Sequence, residues 1–266
     1  MSSYALQISD EELNRYRNMA ARAVETESTA WAASGFVSGA RVADIGCGPA
    51  AVLVELARIV GPTGEAIGVE RDPASAAMAE QVIAASGAVN TCLVRATAAQ
   101  TGLQPGSIDA VMIRNVLIHN DADSIRDILD HVSSLLRPGG QLYVVDTDLE
   151  GARIVPVDAD LEDQRRRYWD LLRRRGCDPR IGPRLGRLLA AAGFEQIRHD
   201  AWFVKLDTIS AGTRPPEFAA RQALIDDGLA TIEDGERWDA ARLRFLETPD
   251  PVAFLPFYRA VGRRPG

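Results

Sequence analysis

Cysteine is scarce. Cys47, Cys92 and Cys177 are the three in 266 residues, too few and too scattered for a disulfide framework or a zinc site. A reduced, cytoplasmic protein is expected. No apolar run approaches the roughly 20 residues that a membrane helix requires, so no membrane partner is expected. The first residues, MSSYALQISDEELNRYR, lack a basic start followed by an apolar stretch and do not read as a secretory signal. Basic residues are in deficit: 30 Lys and Arg against 37 Asp and Glu give a net charge of −7. A surface of that sign repels phosphate backbones, so nucleic acid is not an expected partner. There is no internal repeat and no low-complexity linker. What remains is 46% hydrophobic and 25% charged, which excludes a disordered or fibrous chain.

Short apolar runs alternate with helical stretches. Residues 9–33 read as a helix opened by a Ser9/Glu12 capping box. Strands are expected at 41–45, 66–69, 91–95, 108–114 and 141–145. Helices are expected at 51–59, 73–86 and 124–136, with a tight turn at Pro138-Gly139-Gly140. This rhythm predicts a parallel sheet with helices on both faces. Beyond Asp146 the pattern loosens: helices at 161–175 and 184–192, a strand at 196–206, a helical stretch at 214–247 with a break near Gly235, and a last strand at 254–262. The predicted fold is one α/β domain over residues 1–266. Its core is about 38–147 plus 184–211 and 251–266; added segments at about 1–37, 147–183 and 212–250 form a helical lid.

The most informative stretch is Val42-Ala43-Asp44-Ile45-Gly46-Cys47-Gly48-Pro49-Ala50. A buried strand enters a turn with two glycines and then a helix, whose free N–H groups suit a ligand. Glycine allows close approach and unusual dihedrals. The next strand ends at Glu70, where a carboxylate can take both hydroxyls of a ribose.

These motifs resemble those of class I S-adenosylmethionine (SAM) methyltransferases, in the style of their ubiquinone-biosynthesis-type, small-molecule branch. VADIGCGPA is similar to the first motif and GVERD to the second. IDAVMIRNVLIH is similar to the fourth-strand motif, and LLRPGGQLYVVD to the turn into the fifth strand. The resemblance implies a Rossmann-like, doubly wound, mostly parallel seven-stranded sheet, with SAM as cofactor. It further implies that Asp44 positions the amino-acid end of SAM, and that Gly46, Cys47 and Gly48 pass beneath the methionine part. Glu70 would hold the ribose and Arg71 flank the adenine. Thr97 stands where the family usually has an acid for the adenine amino group, so recognition there leans on Thr97 and the Ala98 backbone. Asn115 and Val116 would floor the site. A nicotinamide oxidoreductase is the weaker alternative, because Ala51 stands where G-x-G-x-x-G needs its third glycine.

Methyl transfer from a sulfonium requires orientation and exclusion of water; it requires a base only where the acceptor must lose a proton. His119, after the fourth strand, is the candidate catalytic base, with a structural or cofactor-contacting role as the alternative. Tyr16, Met19, Tyr168 and Trp169, with Phe218 and Trp238, give the lid an apolar and aromatic content suited to an organic acceptor; packing of the added segments is the competing reading. The expected function is methyl transfer to a small hydrophobic metabolite of secondary metabolism. A non-methylating protein of the same fold, a cyclase or binding protein, is the rival. No metal is expected. Cys47 reads as a packing residue, His131 as packed or solvated, His199 as without a visible partner, and the arginine-rich helix as a solvated face.

Overall fold

A computed structural model describes residues 10–205 and 216–266. The first helix, α1, spans Asp10–Ala33; the Ser9 capping box lies outside the described residues. There follow β1 (Arg41–Ile45), α2 (Ala51–Val60), β2 (Glu65–Glu70), α3 (Pro73–Ser86), β3 (Thr91–Arg95), β4 (Ile108–Arg114), α4 (Ala122–Leu135) and β5 (Leu136–Thr147). The second half contributes β6 (Arg153–Val155), α5 (Ala159–Arg174), α6 (Leu185–Ala191), β7 (Glu195–Lys205), α7 (Pro216–Ala219), α8 (Arg221–Asp226), α9 (Ile232–Glu247) and β8 (Val252–Arg263).

Among the described residues the sheet has the seven expected strands and one short addition, in the order β3-β2-β1-β4-β5-β8-β6, with β7 on the other side of β8. β1 to β5 pair in parallel, and β8 runs antiparallel to β5, β6 and β7. The additional strand, β6, is three residues long and mostly exposed. It therefore carries no hydrophobic pattern, and only its pairing with Val252–Phe254 defines it. The Pro-Gly-Gly tract is likewise no separate turn. It forms the irregular start of β5, with a register shift against β4 between Ile108 and Ala110.

Side-chain alternation sends residues of one strand to opposite faces. Val42, Met112, Tyr143 and Val145 pack with α1, α2 and α3 through Trp31, Leu53, Leu56 and Ala79. Ala43, Ile45, Val111, Ile113 and Val144 meet α4, α5 and α6. Because both faces are covered, the central strands are continuous apolar runs.

The last helical stretch breaks at Gly228 (φ 68°), not near Gly235. Gly235 lies in the first turn of α9, behind a capping box between Thr231 and Asp234. Asp in the third position of that box is the signal that fixes the helix start. α7, α8 and α9 pack on α5. Phe218 and Trp238 are buried in that packing, and the Trp238 indole donates to Asp163 at 3.4 Å. The arginines of α5 are mostly engaged with neighbouring acids: Arg167 with Asp163 and Asp234, Arg173 with Asp170 and Glu150.

Candidate active site

The glycine turn at the end of β1 is stitched to β2: Gly46 and Cys47 donate their N–H groups to the Val69 carbonyl at 2.8 and 3.1 Å. Gly46 and Gly48 have φ of 73° and 53°, in the left-handed region that glycine enters without penalty. Space makes the same demand at Gly46, where a Cβ would lie 2.5 Å from Val116 Cγ2. At Gly48 a Cβ would meet the Tyr16 ring at 3.6 Å, so α1 passes close over the turn. α2 then begins behind Ala50 with no side-chain cap and no acid in its first turn. Its leading N–H groups are left for another partner.

Glu70, at the end of β2, faces this turn. Its Oε2 accepts from Gly48 N–H at 2.9 Å and its Oε1 from Asp72 N–H at 2.8 Å. A carboxylate has about four acceptor positions, so both oxygens retain capacity. Asp72 caps α3 through Ser75 N–H at 2.8 Å. Asp44 is 3% exposed. Burial pushes its carboxyl up to about 7; nearby Arg114 opposes that and Glu70 adds to it. The Cys47 thiol is buried and pushed well up by the same burial and by Asp44 and Glu70. Its thiolate is thereby suppressed, in keeping with a packing role.

β4 ends at Arg114, and Asn115 follows with φ 55°. The Asn115 N–H donates to Val145 O at 2.8 Å, while its Oδ1 is buried without a hydrogen-bond partner. A short 3₁₀ turn at Leu117–His119 presents His119, whose N–H donates to Val116 O at 3.1 Å. The turn is anchored by Asp146, fully buried, which accepts from Ile118 N–H at 3.1 Å and Thr147 N–H at 3.0 Å. Burial pushes the Asp146 carboxyl up to about 7, against those hydrogen bonds and the charge of Arg114. The other histidines are occupied elsewhere. His131 Nε2 accepts from Thr101 N–H at 3.1 Å, and burial lowers its pKa; His199 Nε2 lies 3.2 Å from Gly182 O.

A cavity of about 1060 Å³ joins these parts. Asp44, Gly46, Cys47, Gly48, Glu70, Arg71, Thr97, Ala98, Asn115, Val116 and His119 all line it, as do Tyr16, Met19 and Tyr168. Trp169 does not: it packs beneath the Arg165 guanidinium, 5.3 Å from its ring centroid. From the 212–250 segment only Pro216 reaches the lining among the described residues, and Phe218 and Trp238 are absent from it. The sequence reading missed Glu27, Arg114, Trp202 and Phe257, which also line the cavity. A charged residue closing a mostly apolar strand was the available signal for Arg114. For Glu27 it was an acid in the buried stripe Ala20, Ala23 and Trp31 of α1. Among the described residues no group of three or more His, Cys, Asp or Glu is arranged to hold a metal ion, and no helix is long and apolar enough to cross a membrane.

A doubly wound sheet with a glycine turn after β1 and an acid after β2 is the Rossmann-like architecture that SAM-dependent methyltransferases share with dinucleotide-binding proteins. Residues 42–140 match the family model described as a methyltransferase domain. An uncharacterized 37.1 kDa protein in a transposon of Streptomyces fradiae is 32% identical over 158 residues. That match covers 59% of this chain and 44% of the relative, so the chain spans under half the length of the relative it matches. A Haemonchus contortus phosphoethanolamine N-methyltransferase, solved with S-adenosylhomocysteine, superposes with a TM-score of 0.53 at 14% identity, covering 86% of this chain and 50% of that one. The [4+2]-cyclase SpnF superposes with a TM-score of 0.55 at 19% identity, covering 94% and 81%. At such identities the likeness is one of fold alone, and it does not extend to the ubiquinone-biosynthesis-type branch.

Proposed function

We propose that this chain, acting as one domain, transfers a methyl group from SAM to a small, mainly apolar metabolite in a cavity roofed by α1. The observation that carries this reading is the continuity of one cavity from the glycine turn and Glu70 past His119 to an aromatic lobe. Its volume of about 1060 Å³ is at the upper end of the ~300–1,000 Å³ usual for ligand sites, enough for a nucleoside and a second molecule. The residues fit the cofactor. Glu70 has spare acceptor capacity for a ribose diol, the start of α2 offers unclaimed N–H groups, and the buried Asp44 suits an ammonium. Thr97 and Ala98 offer a hydroxyl and a backbone to the adenine.

SAM supplies a methyl group on a sulfonium, open to in-line attack. The chain's own part is orientation and dryness, and orientation alone lowers such barriers by about 7–11 kcal/mol. Tyr16 and Met19 cover the turn from α1, and Val116 packs on Gly46. His119, carried on a turn that Asp146 anchors, takes the proton of an acceptor that must lose one. Three free thiols accord with a reducing, cytoplasmic setting.

A second reading is favoured by the likeness to SpnF: a protein of this fold that binds SAM and does not transfer its methyl. Incubation with SAM and candidate acceptors, followed by chromatography, separates the two. Release of S-adenosylhomocysteine with a methylated product supports transfer. A changed acceptor without S-adenosylhomocysteine supports the rival, and tighter binding of NAD than of SAM overturns both.

A further inference from the structure

Arg114 closes β4 on the face of the sheet that α1 covers. The register pairs Asp44 with Met112 and Ile45 with Ile113. Alternation therefore returns Arg114 to the face of Asp44, one step nearer the carboxyl edge. A strand spacing of about 4.8 Å and a rise of about 6.6 Å over two residues separate their Cα atoms by about 8 Å, within the span of an arginine side chain. Tyr143, paired with Met112 on the other side of β4, shares that face. α1 sets Glu27 against both: Glu27 Oε1 stands 3.0 Å from Arg114 Nη2, and Oε2 accepts from the Tyr143 hydroxyl at 2.8 Å. The side chains of Arg114 and Glu27 are 10% and 2% exposed, and Asp44 is 3% exposed. In so dry a setting charges act over longer distances than they do in water.

One guanidinium thus serves two carboxylates, one in the floor of the cavity and one in its roof. Burial is the largest influence on the Asp44 carboxyl and raises it; the charge of Arg114 comes next and lowers it, and Glu70 raises it again. The other titratable groups that line the cavity around Asp44 are Cys47 of the turn, Tyr16, Arg22 and Glu25 of α1, His119, and Lys205 of β7. We propose that Arg114 is a positioning residue: it holds Asp44 as the carboxylate that receives the cofactor's ammonium, and Glu27, arriving with α1, sets the share of that positive charge that Asp44 receives. The ammonium rests on the SAM reading above; the control of Asp44 by the ion pair does not. Removing Arg114 takes away the cation that favours the Asp44 carboxylate, and removing the charge of Glu27 takes away the competitor for it. The two ends of one ion pair therefore act on Asp44 in opposite directions. Were the pair only a clamp for α1, breaking it from either end would be the same event.

The test reads Asp44 itself. The ligand-free chain, labelled with carbon-13 at its aspartate carboxyl carbons, is titrated by NMR, and the Asp44 resonance is assigned by its loss in Asp44→Asn. In the parent the midpoint is expected at about 7. Arg114→Met should move it up by about half a pH unit or more and Glu27→Gln down by about as much, while Arg114→Lys, which keeps the charge, stays nearer the parent than Arg114→Met. Glu27→Gln preserves the shape and leaves Tyr143 an acceptor, so it decides even where Arg114→Met fails to fold. Calorimetric titration with S-adenosylhomocysteine should follow the same order. At pH 6 binding is about threefold weaker in Arg114→Met and about threefold tighter in Glu27→Gln than in the parent, and the three converge toward pH 8. The proposal is overturned if both variants move Asp44 the same way, or if Glu27→Gln leaves it in place. It is also overturned if the loss in Arg114→Met is undiminished at pH 8, since Arg114 would then touch the cofactor directly. A parent that binds no S-adenosylhomocysteine overturns the cofactor reading alone, because the NMR titration needs no ligand.

Discussion

In the proposed function Glu70 is the side chain that holds the cofactor's ribose, and Glu70→Ala is the substitution that tests it. In the structure its carboxylate does two things. It receives Gly48 N–H and Asp72 N–H at 2.9 and 2.8 Å, and it lines the cavity with acceptor capacity to spare. Charge-assisted hydrogen bonds of this kind contribute about 1.5–3 kcal/mol. Loss of the hydroxyl contacts alone should therefore weaken S-adenosylhomocysteine binding roughly ten- to a hundredfold, while turnover at saturating SAM changes less. The two roles separate in a double cycle. S-adenosylhomocysteine and its 2′-deoxy analogue are titrated calorimetrically into parent and variant. If Glu70 holds the ribose, removing the hydroxyl costs the parent about tenfold and the variant little, a coupling of about 1 kcal/mol or more. Equal losses in both proteins refute the ribose contact. Glu70 would then be only the clamp between the glycine turn and the start of α3.

Three further expectations concern the same site. His119→Ala should lower single-turnover rates by about a hundredfold or more for an acceptor that must lose a proton, with S-adenosylhomocysteine affinity within a few-fold; normal turnover with lost affinity would make His119 a cofactor contact. Asp44 and Asp146 are both raised from 3.8 to about 7, so between those values the folded chain holds protons that the unfolded chain has released. Their contribution is thus present below pH 4 and falls as pH rises toward 7. Thermal melts of the ligand-free chain should show that decline, whereas S-adenosylhomocysteine affinity should rise about tenfold from pH 6 to pH 8 as Asp44 ionises; a flat affinity profile contradicts the Asp44–ammonium contact. Gly46→Ala forces a Cβ to 2.5 Å from Val116 Cγ2 at φ 73°, and that strain should cost about 1–3 kcal/mol in denaturant unfolding. The double variant Gly46→Ala/Val116→Ala recovers only the steric part, and an unchanged midpoint for Gly46→Ala refutes the crowding.

What the sequence determined by itself is what neighbours along the chain encode. Apolar periodicity set β1, β3, β4 and α3 to the residue, because an apolar run bounded by polar or turn residues, or a capped helix, announces its own ends. The glycine turn and Glu70 were legible for the same reason: each lies where a strand stops, and the parallel order of β1 and β2 brings those two ends side by side. Elements without a local pattern were invisible. β6 is three mostly exposed residues held by a distant strand. The helices after residue 215 are amphipathic, yet nothing in their periodicity says that their apolar faces meet α5 rather than the cavity; only the packing of Phe218 and Trp238 decides it. The electrostatics of the site were decided by tertiary structure alone. Glu27 is one acid in a helix until α1 crosses the sheet and brings it to Arg114 and Tyr143. Asp44 and Asp146 are ordinary carboxylates in sequence, and their titration near neutrality comes from the water that the fold removes around them.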